Sequence, residues 1–308
     1  MDSAHHLEST EGRHARPSRR RRGVWSGWLF LIPGLIFQIV AVFIPLLFTL
    51  VLPFTDWNGI SAPNFVGLSN FSEAFGDAVV RQALGNNVEW SIFWLTIPLL
   101  LAFILASLLI KVRHGQTAYQ AIYFSTSIIT VTVTGEIWLW IYDPFSGINS
   151  YLQQWGLGFL QVPGLATPSL ALLSVLFTAM WRGFGGNVIW LLAAMTQMDK
   201  SMEEAARLDG AGWLRVLWHI HLPQLRPTVV ILSMLTILSS FQAFDMVFVM
   251  TQGGPAHATE TLSTYIYHLS ITNYRAGYAA AISMLQFAIA VLLIVGYVLL
   301  RKTKGWEV

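Results

Sequence analysis

The chain has 308 residues, 55% of them hydrophobic and only 11% charged, with a formal net charge of +2 at pH 7. Soluble domains carry about 25% charged residues, so a water-facing surface of ordinary polarity is excluded and a lipid bilayer is the natural solvent. The absence of cysteine excludes disulfides, a thiolate nucleophile and a Cys-based metal site.

Residues 1–24 form a basic arm that includes Arg19-Arg20-Arg21-Arg22, read as a disordered tail. The apolar run that follows, 28–52, is longer than the core of a secretory signal, and no small-x-small site closes it. It is predicted to be an uncleaved transmembrane helix. About 20 apolar residues span a bilayer as a helix. Five further runs meet that length, near 89–110, 118–141, 169–197, 227–250 and 277–300. Their continuous apolarity excludes barrel strands, which alternate. The expected fold is therefore all-α, a polytopic membrane protein with six transmembrane helices.

Lys and Arg orient the spans. Every one of them except Arg81, Arg182 and Arg275 falls in the N-terminal arm, the 111–113 loop, the 198–226 loop or the C-terminal tail. Both termini and the 198–226 loop are thus expected in the cytoplasm. Three outer segments remain, near 53–88, 142–168 and 251–276, with short interfacial helices. Trp138 and Trp140, near the outer end of the third span, read as an aromatic belt. Pro45, Pro98 and Pro227 mark helix starts or remove helix hydrogen bonds.

The 198–226 loop carries the most information. Ser201 is a plausible N-cap with Glu204 three residues on, a capping-box pattern. The helix should run to about Leu208, and Gly210 suits its exit. A second helix should start near Trp213 and lead to Pro223 and Pro227, giving two short helices at roughly a right angle. His219 and His221 are read as surface histidines, since no further ligand stands at metal spacing.

These residues carry a resemblance. Glu204-Ala205-Ala206, three residues, Gly210, nine residues, Ile220-x-Leu222-Pro223 is similar to the signature loop of binding-protein-dependent ABC importer permeases. Thr251-Gln252-Gly253-Gly254-Pro255, Thr259-Glu260-Thr261-Leu262 and Gly277-Tyr278-Ala279-Ala280-Ala281 resemble the carbohydrate-importing permeases of the MalF/UgpA type. The resemblance implies a type I ABC importer permease whose cytoplasmic coupling helix docks in an ATPase subunit. It implies an ATPase-coupling set of Glu203, Glu204, Ala205, Ala206, Asp209, Gly210 and Ala211. The implied partners are a second permease, two copies of an ATP-binding cassette ATPase, an external solute-binding protein and a sugar. No nucleic-acid partner is expected.

The resemblance also implies a substrate pathway along the fourth and fifth spans, and the pathway set is read as Gly183, Asn187, Ser239, Ser240, Gln242, Phe244 and Arg182, the last standing where the relatives carry an apolar residue. Phe241 and Phe244 offer ring faces to a sugar. Arg182 is an intramembrane charge and so a functional candidate; it either lines the pathway or pairs with an acid such as Asp245 or Glu136. Small polar side chains such as Ser239 and Ser240 equally bond helix to helix. No phosphate-binding Gly-x-x-x-x-Gly-Lys-Ser/Thr loop occurs, so ATP and magnesium are expected on the partner ATPase and no cofactor or metal on this chain. No span holds a nucleophile–base pair, so no catalytic residue is expected. An importer of glycerol-3-phosphate or another polar solute is the alternative within the class, and an ion-driven secondary transporter the alternative outside it.

Overall fold

The computed structural model describes residues 22–112, 114–158 and 164–303. The basic arm before residue 22 lies outside them. The chain divides into two units, residues 1–48 and 49–308. In the first, helix α1 (Arg22–Gln38) starts inside the expected arm and continues through a π-helical turn, Ile39–Phe43, into the start of α2 (Ile44–Val51), whose last three residues belong to the second.

Among the described residues of the second unit the regular structure is helical, and one isolated bridge joins Thr55 and Phe65. Its helices are α3 (Ser69–Gly76), α4 (Ala78–Leu109), α5 (Gln116–Ile128), α6 (Val131–Tyr142), α7 (Ile148–Gln154), α8 (Pro168–Thr196), α9 (Lys200–Leu208) and α10 (Trp213–Val216). They are followed by α11 (Leu222–Gln224), α12 (Arg226–Phe241), α13 (Asp245–Met250), α14 (Leu262–Tyr267) and α15 (Ala276–Thr303). Among the described residues, four stretches are long and apolar enough to cross a membrane: Phe30–Phe54, Ala78–Leu109, Pro168–Thr196 and Ala276–Arg301. Two bent pairs raise the number to as many as six.

The bends correct the sequence reading. The expected third span, 118–141, is two helices: α5 and α6 meet at 89°. Thr130 accepts from the Val133 N–H and restarts the chain as the N-cap of α6. The expected fifth span, 227–250, stops at Phe241 and resumes at Asp245. The second span begins earlier than expected, because Asp77 caps α4 by accepting from the Val79 N–H at 2.7 Å. Asp77 also accepts from the Tyr265 and Tyr278 hydroxyls, each at 2.8 Å.

The core lies along α4 and α8. Ala102, Ala106 and Leu191 are fully or almost fully buried between them; small side chains let helices approach closely where lipid offers no hydrophobic drive. Gly185 serves the same end against α5, where an added Cβ would lie 2.1 Å from the Tyr123 carbonyl oxygen. Trp138 is 9% exposed and packs against Tyr142, Phe177 and Trp181 at ring-centroid distances of 5.4, 5.5 and 5.8 Å. Of the two tryptophans expected in an aromatic belt, only Trp140 is exposed, at 79%.

Candidate functional site

Helix α9 is capped by Asp199, not by Ser201: the Asp199 carboxylate accepts from the Ser201 N–H at 2.9 Å. The cap holds the Asp199 pKa below its ordinary value. The exit is the expected one. Gly210 takes φ +80°, Gly210 N–H donates to the Arg207 carbonyl at 3.0 Å, and Ala211 N–H donates to the Ala206 carbonyl at 2.9 Å. This pair of bonds is a Schellman motif, which needs the left-handed conformation at Gly210. Gly212 then caps the next helix, which begins at Trp213 as expected.

The coupling set separates into two faces. Glu204, Ala205, Asp209 and Gly210 are exposed, as is Leu208 beside them, at 90%. Ala206 and Ala211 are half-buried. The Glu203 carboxylate turns inward instead. One oxygen binds Nε2 of His221 at 3.0 Å, and the other accepts from Arg207. Burial alone pushes the Glu203 pKa up, but His221 and Arg207 outweigh it and hold it below the ordinary carboxylate value. His221 is 2% exposed, which corrects the reading of both histidines as surface residues; only His219 is exposed. Beside them Lys111 stands 5.6 Å from the Trp213 ring centroid, and burial first and the Arg207 charge second lower its pKa. A cleft of about 390 Å³ opens here, lined by Lys111, Lys200, Glu203, Glu204, Arg207 and His221 among others.

The second constellation lies between α8 and the α12–α13 break. Arg182, Gly183, Ser239, Gln242 and Phe244 line one cavity of about 240 Å³ together with Trp90, Trp94 and Asp245. Asn187 lines an adjoining one with Ser239, Gln242, Trp94 and Trp190. Ser240 is not with them. It is 1% exposed, and its hydroxyl donates to the Thr236 carbonyl at 2.7 Å. Phe241 is likewise core, 1% exposed against Ile237 and Ala290, so its ring face is not offered to a solute. Arg182 pairs with neither Asp245 nor Glu136 among the described residues. Its Nε donates to the Ile129 carbonyl at 2.9 Å, and the Ser127 hydroxyl donates back to the Arg182 carbonyl at 2.8 Å.

Several contributors escaped the sequence reading. Trp90 and Trp94 of α4 wall the cavity. Asn87, fully buried, donates to the Ser240 carbonyl at 2.7 Å and accepts from the Leu262 N–H at 2.9 Å. Asn86 donates to the Ala258 and Glu260 carbonyls at 3.1 and 2.7 Å. Together the two amides bind the C-terminal end of α12 and the 258–262 segment to α4. The available signal was a pair of adjacent amides opening an apolar run, a costly placement in lipid.

Residues 89–304 match the family described as "Binding-protein-dependent transport system inner membrane component". The probable ABC transporter permease protein YurN of Bacillus subtilis is 33% identical over 270 residues, covering 86% of this chain and 92% of that one. The sn-glycerol-3-phosphate transport system permease protein UgpA of Agrobacterium fabrum is 32% identical, covering 77% and 80%. The multiple sugar-binding transport system permease protein MsmF of Streptococcus mutans is 27% identical, covering 92% and 96%. Among solved structures, a chain of a bacterial ABC transporter that imports the acidic polysaccharide alginate superposes with a TM-score of 0.79 at 20% identity, covering 92% of this chain and 96% of that one.

Proposed function

The chain belongs to the family of binding-protein-dependent transport system inner membrane components, and on that premise we propose that it is a permease subunit of an ATP-driven sugar importer. With a second permease it would form the pathway for a sugar handed over by a solute-binding protein. Two copies of a separate ATPase would supply ATP, magnesium and hydrolysis, and this chain would carry no catalytic group. Both termini and α9 would face the cytoplasm, in keeping with the distribution of Lys and Arg.

The observation that carries the reading is α9 itself. It is a short helix capped at both ends, with Glu204, Ala205 and Leu208 exposed on it. A rigid helix with one exposed face suits docking into a groove, and it can pass a push to the spans on either side. ATP binding would close the ATPase pair, move α9 and shift the spans between two arrangements. The sugar assignment leans on relatives such as MsmF and LacF, named for multiple sugar-binding and lactose transport, and on the Trp90, Trp94, Gln242 and Phe244 lining, the mix of ring faces and amides that suits sugars. A glycerol-3-phosphate cargo is the second reading, since Arg182 lines the same cavity and UgpA is among the relatives.

The test is to purify the complex from host membranes through a tag on this chain and to measure MgATP hydrolysis against a panel of sugars and glycerol-3-phosphate. An ATPase and a second permease should co-purify, and hydrolysis should rise with the binding protein and one sugar. Stimulation by glycerol-3-phosphate alone would replace the sugar assignment. Uptake driven by an ion gradient without ATP would overturn the class.

A further inference from the structure

We propose that the Glu203–His221 pair is the internal strut that carries movement of α9 into the pathway helix α12. The proposal rests on α9 being the ATPase-docking element. It concerns what α9 is tied to within this chain.

Among the described residues, the side-chain hydrogen bonds that leave α9 end on one short segment. Glu203 binds His221 at 3.0 Å, and the Gln224 amide donates to the Met202 sulfur at 3.5 Å. Arg207, which also binds Glu203, lies within α9 itself. The segment 221–224 stands immediately before the chain bends by 74° into α12. Helix α12 has 16 residues, about 24 Å at 1.5 Å per residue. At its far end, Ser239 and Gln242 line the candidate pathway. A displacement of α9 delivered through Glu203 thus acts at the base of a rigid rod whose tip faces the solute.

The His221 ring is built for one contact. It is 2% exposed and its Nε2 meets Glu203, while its Nδ1 has no hydrogen-bond partner. A buried polar atom left unpaired is costly. An apolar residue would fill that space without the cost, so the ring is kept for what Nε2 reaches. Glu203 holds its other oxygen on Arg207, which fixes the carboxylate plane toward the histidine. The two residues lie 18 positions apart and join two helices that backbone hydrogen bonds leave separate. Glu203 is therefore a positioning residue, distinct from the outward-facing Glu204.

The test is a double-mutant cycle on the tag-purified complex in proteoliposomes. MgATP hydrolysis is measured with and without the solute-binding protein in Glu203→Ala, His221→Ala, the double variant and His221→Gln. Each single alanine variant should keep the ATPase subunit bound. Its stimulated-to-basal ratio should fall at least about five-fold, the low end of typical site-to-site coupling. The double variant should be no worse than either single. His221→Gln, which keeps a donor near the Nε2 position, should recover most of the ratio. An unchanged ratio in Glu203→Ala overturns the strut, and so do losses that multiply in the double variant. Should His221→Ala fail to assemble, Glu203→Ala decides alone, because that side chain is partly exposed and its removal leaves no sealed cavity. An untouched complex in which no ATPase co-purifies overturns the importer reading instead, so the two failures are distinguishable.

Discussion

Arg182 on α8 donates from Nε to the carbonyl of Ile129 at 2.9 Å, the residue where α5 ends and the chain turns by 89° into α6. A helix C-terminus inside the apolar layer leaves carbonyls that lipid cannot satisfy. The guanidinium supplies a donor there, and Ser127 and Thr126 return hydrogen bonds to the Arg182 carbonyl at 2.8 and 3.4 Å. The same side chain lines the candidate pathway. The intramembrane charge therefore holds a broken span in shape at the wall of the cavity.

Arg182→Leu should destabilise the protein by roughly 1.5–3 kcal/mol, the usual worth of a hydrogen bond to a charged group. It should also lower transport. Melting of the purified protein in detergent, alongside uptake, measures both. A leucine variant that melts with the wild type would sink the capping role.

Gly185 and Gly186 are neighbours in sequence with opposite tolerance. A Cβ at Gly185 meets the Tyr123 carbonyl oxygen at 2.1 Å, whereas one at Gly186 meets nothing within 4 Å. Gly185→Ala should force α5 off α8 and cost about 1–3 kcal/mol, as overpacking does. Gly186→Ala should be neutral or slightly stabilising. Equal melting temperatures for the two variants would contradict the packing described.

Gly210 has space around it, so strain at this position comes from φ alone. A β-branched residue there should cost about 1–2 kcal/mol, whereas asparagine tolerates the left-handed region. Retention of the ATPase subunit on tagged complexes should fall in the order Gly210, Gly210→Asn, Gly210→Val. Full retention and full stimulated hydrolysis in the valine variant would show that the Schellman exit is dispensable.

Asp77 accepts from the Val79 N–H and from two tyrosine hydroxyls. Burial pushes its pKa up, yet the bonds from Tyr278, Tyr265 and the backbone outweigh it and leave the folded-state value lowered from 3.8. A lowered folded pKa means that the stabilisation is fully present above the unfolded value and is lost as pH falls through the folded one. Melting temperatures between about pH 6 and pH 3 should thus decline more steeply in the wild type than in Asp77→Asn. At neutral pH, Asp77→Ala should cost on the order of 1–2 kcal/mol through the lost cap. Parallel pH profiles for the wild type and the asparagine variant would remove Asp77 from this account.

Composition and periodicity made much of this protein legible. The long apolar runs left no other backbone solution than helices. Gly210 and the start at Trp213 could be read because a left-handed exit and a restarted helix depend on local residue types. The Glu-Ala-Ala spacing singled out α9, and the continuity of the fifth apolar run hid the break at Gln242.

What the sequence could not rank were choices between equivalent residues and contacts distant along the chain. Asp199 and Ser201 are both good caps, and only the observed bond from the Ser201 N–H selects Asp199. Trp138 and Trp140 look alike in a strand of letters, but a run that is apolar on every side carries no mark of which face meets protein and which meets lipid. Glu203 and Glu204 are adjacent carboxylates, and about 100° of helix rotation sends one to His221 and leaves the other exposed. The amino-acid sequence by itself determined that the chain is helical and where α9 ends and the next helix starts, because capping is local. Only the tertiary structure decided which charges turn inward, because Arg182–Ile129 and Glu203–His221 join residues that chain order keeps apart.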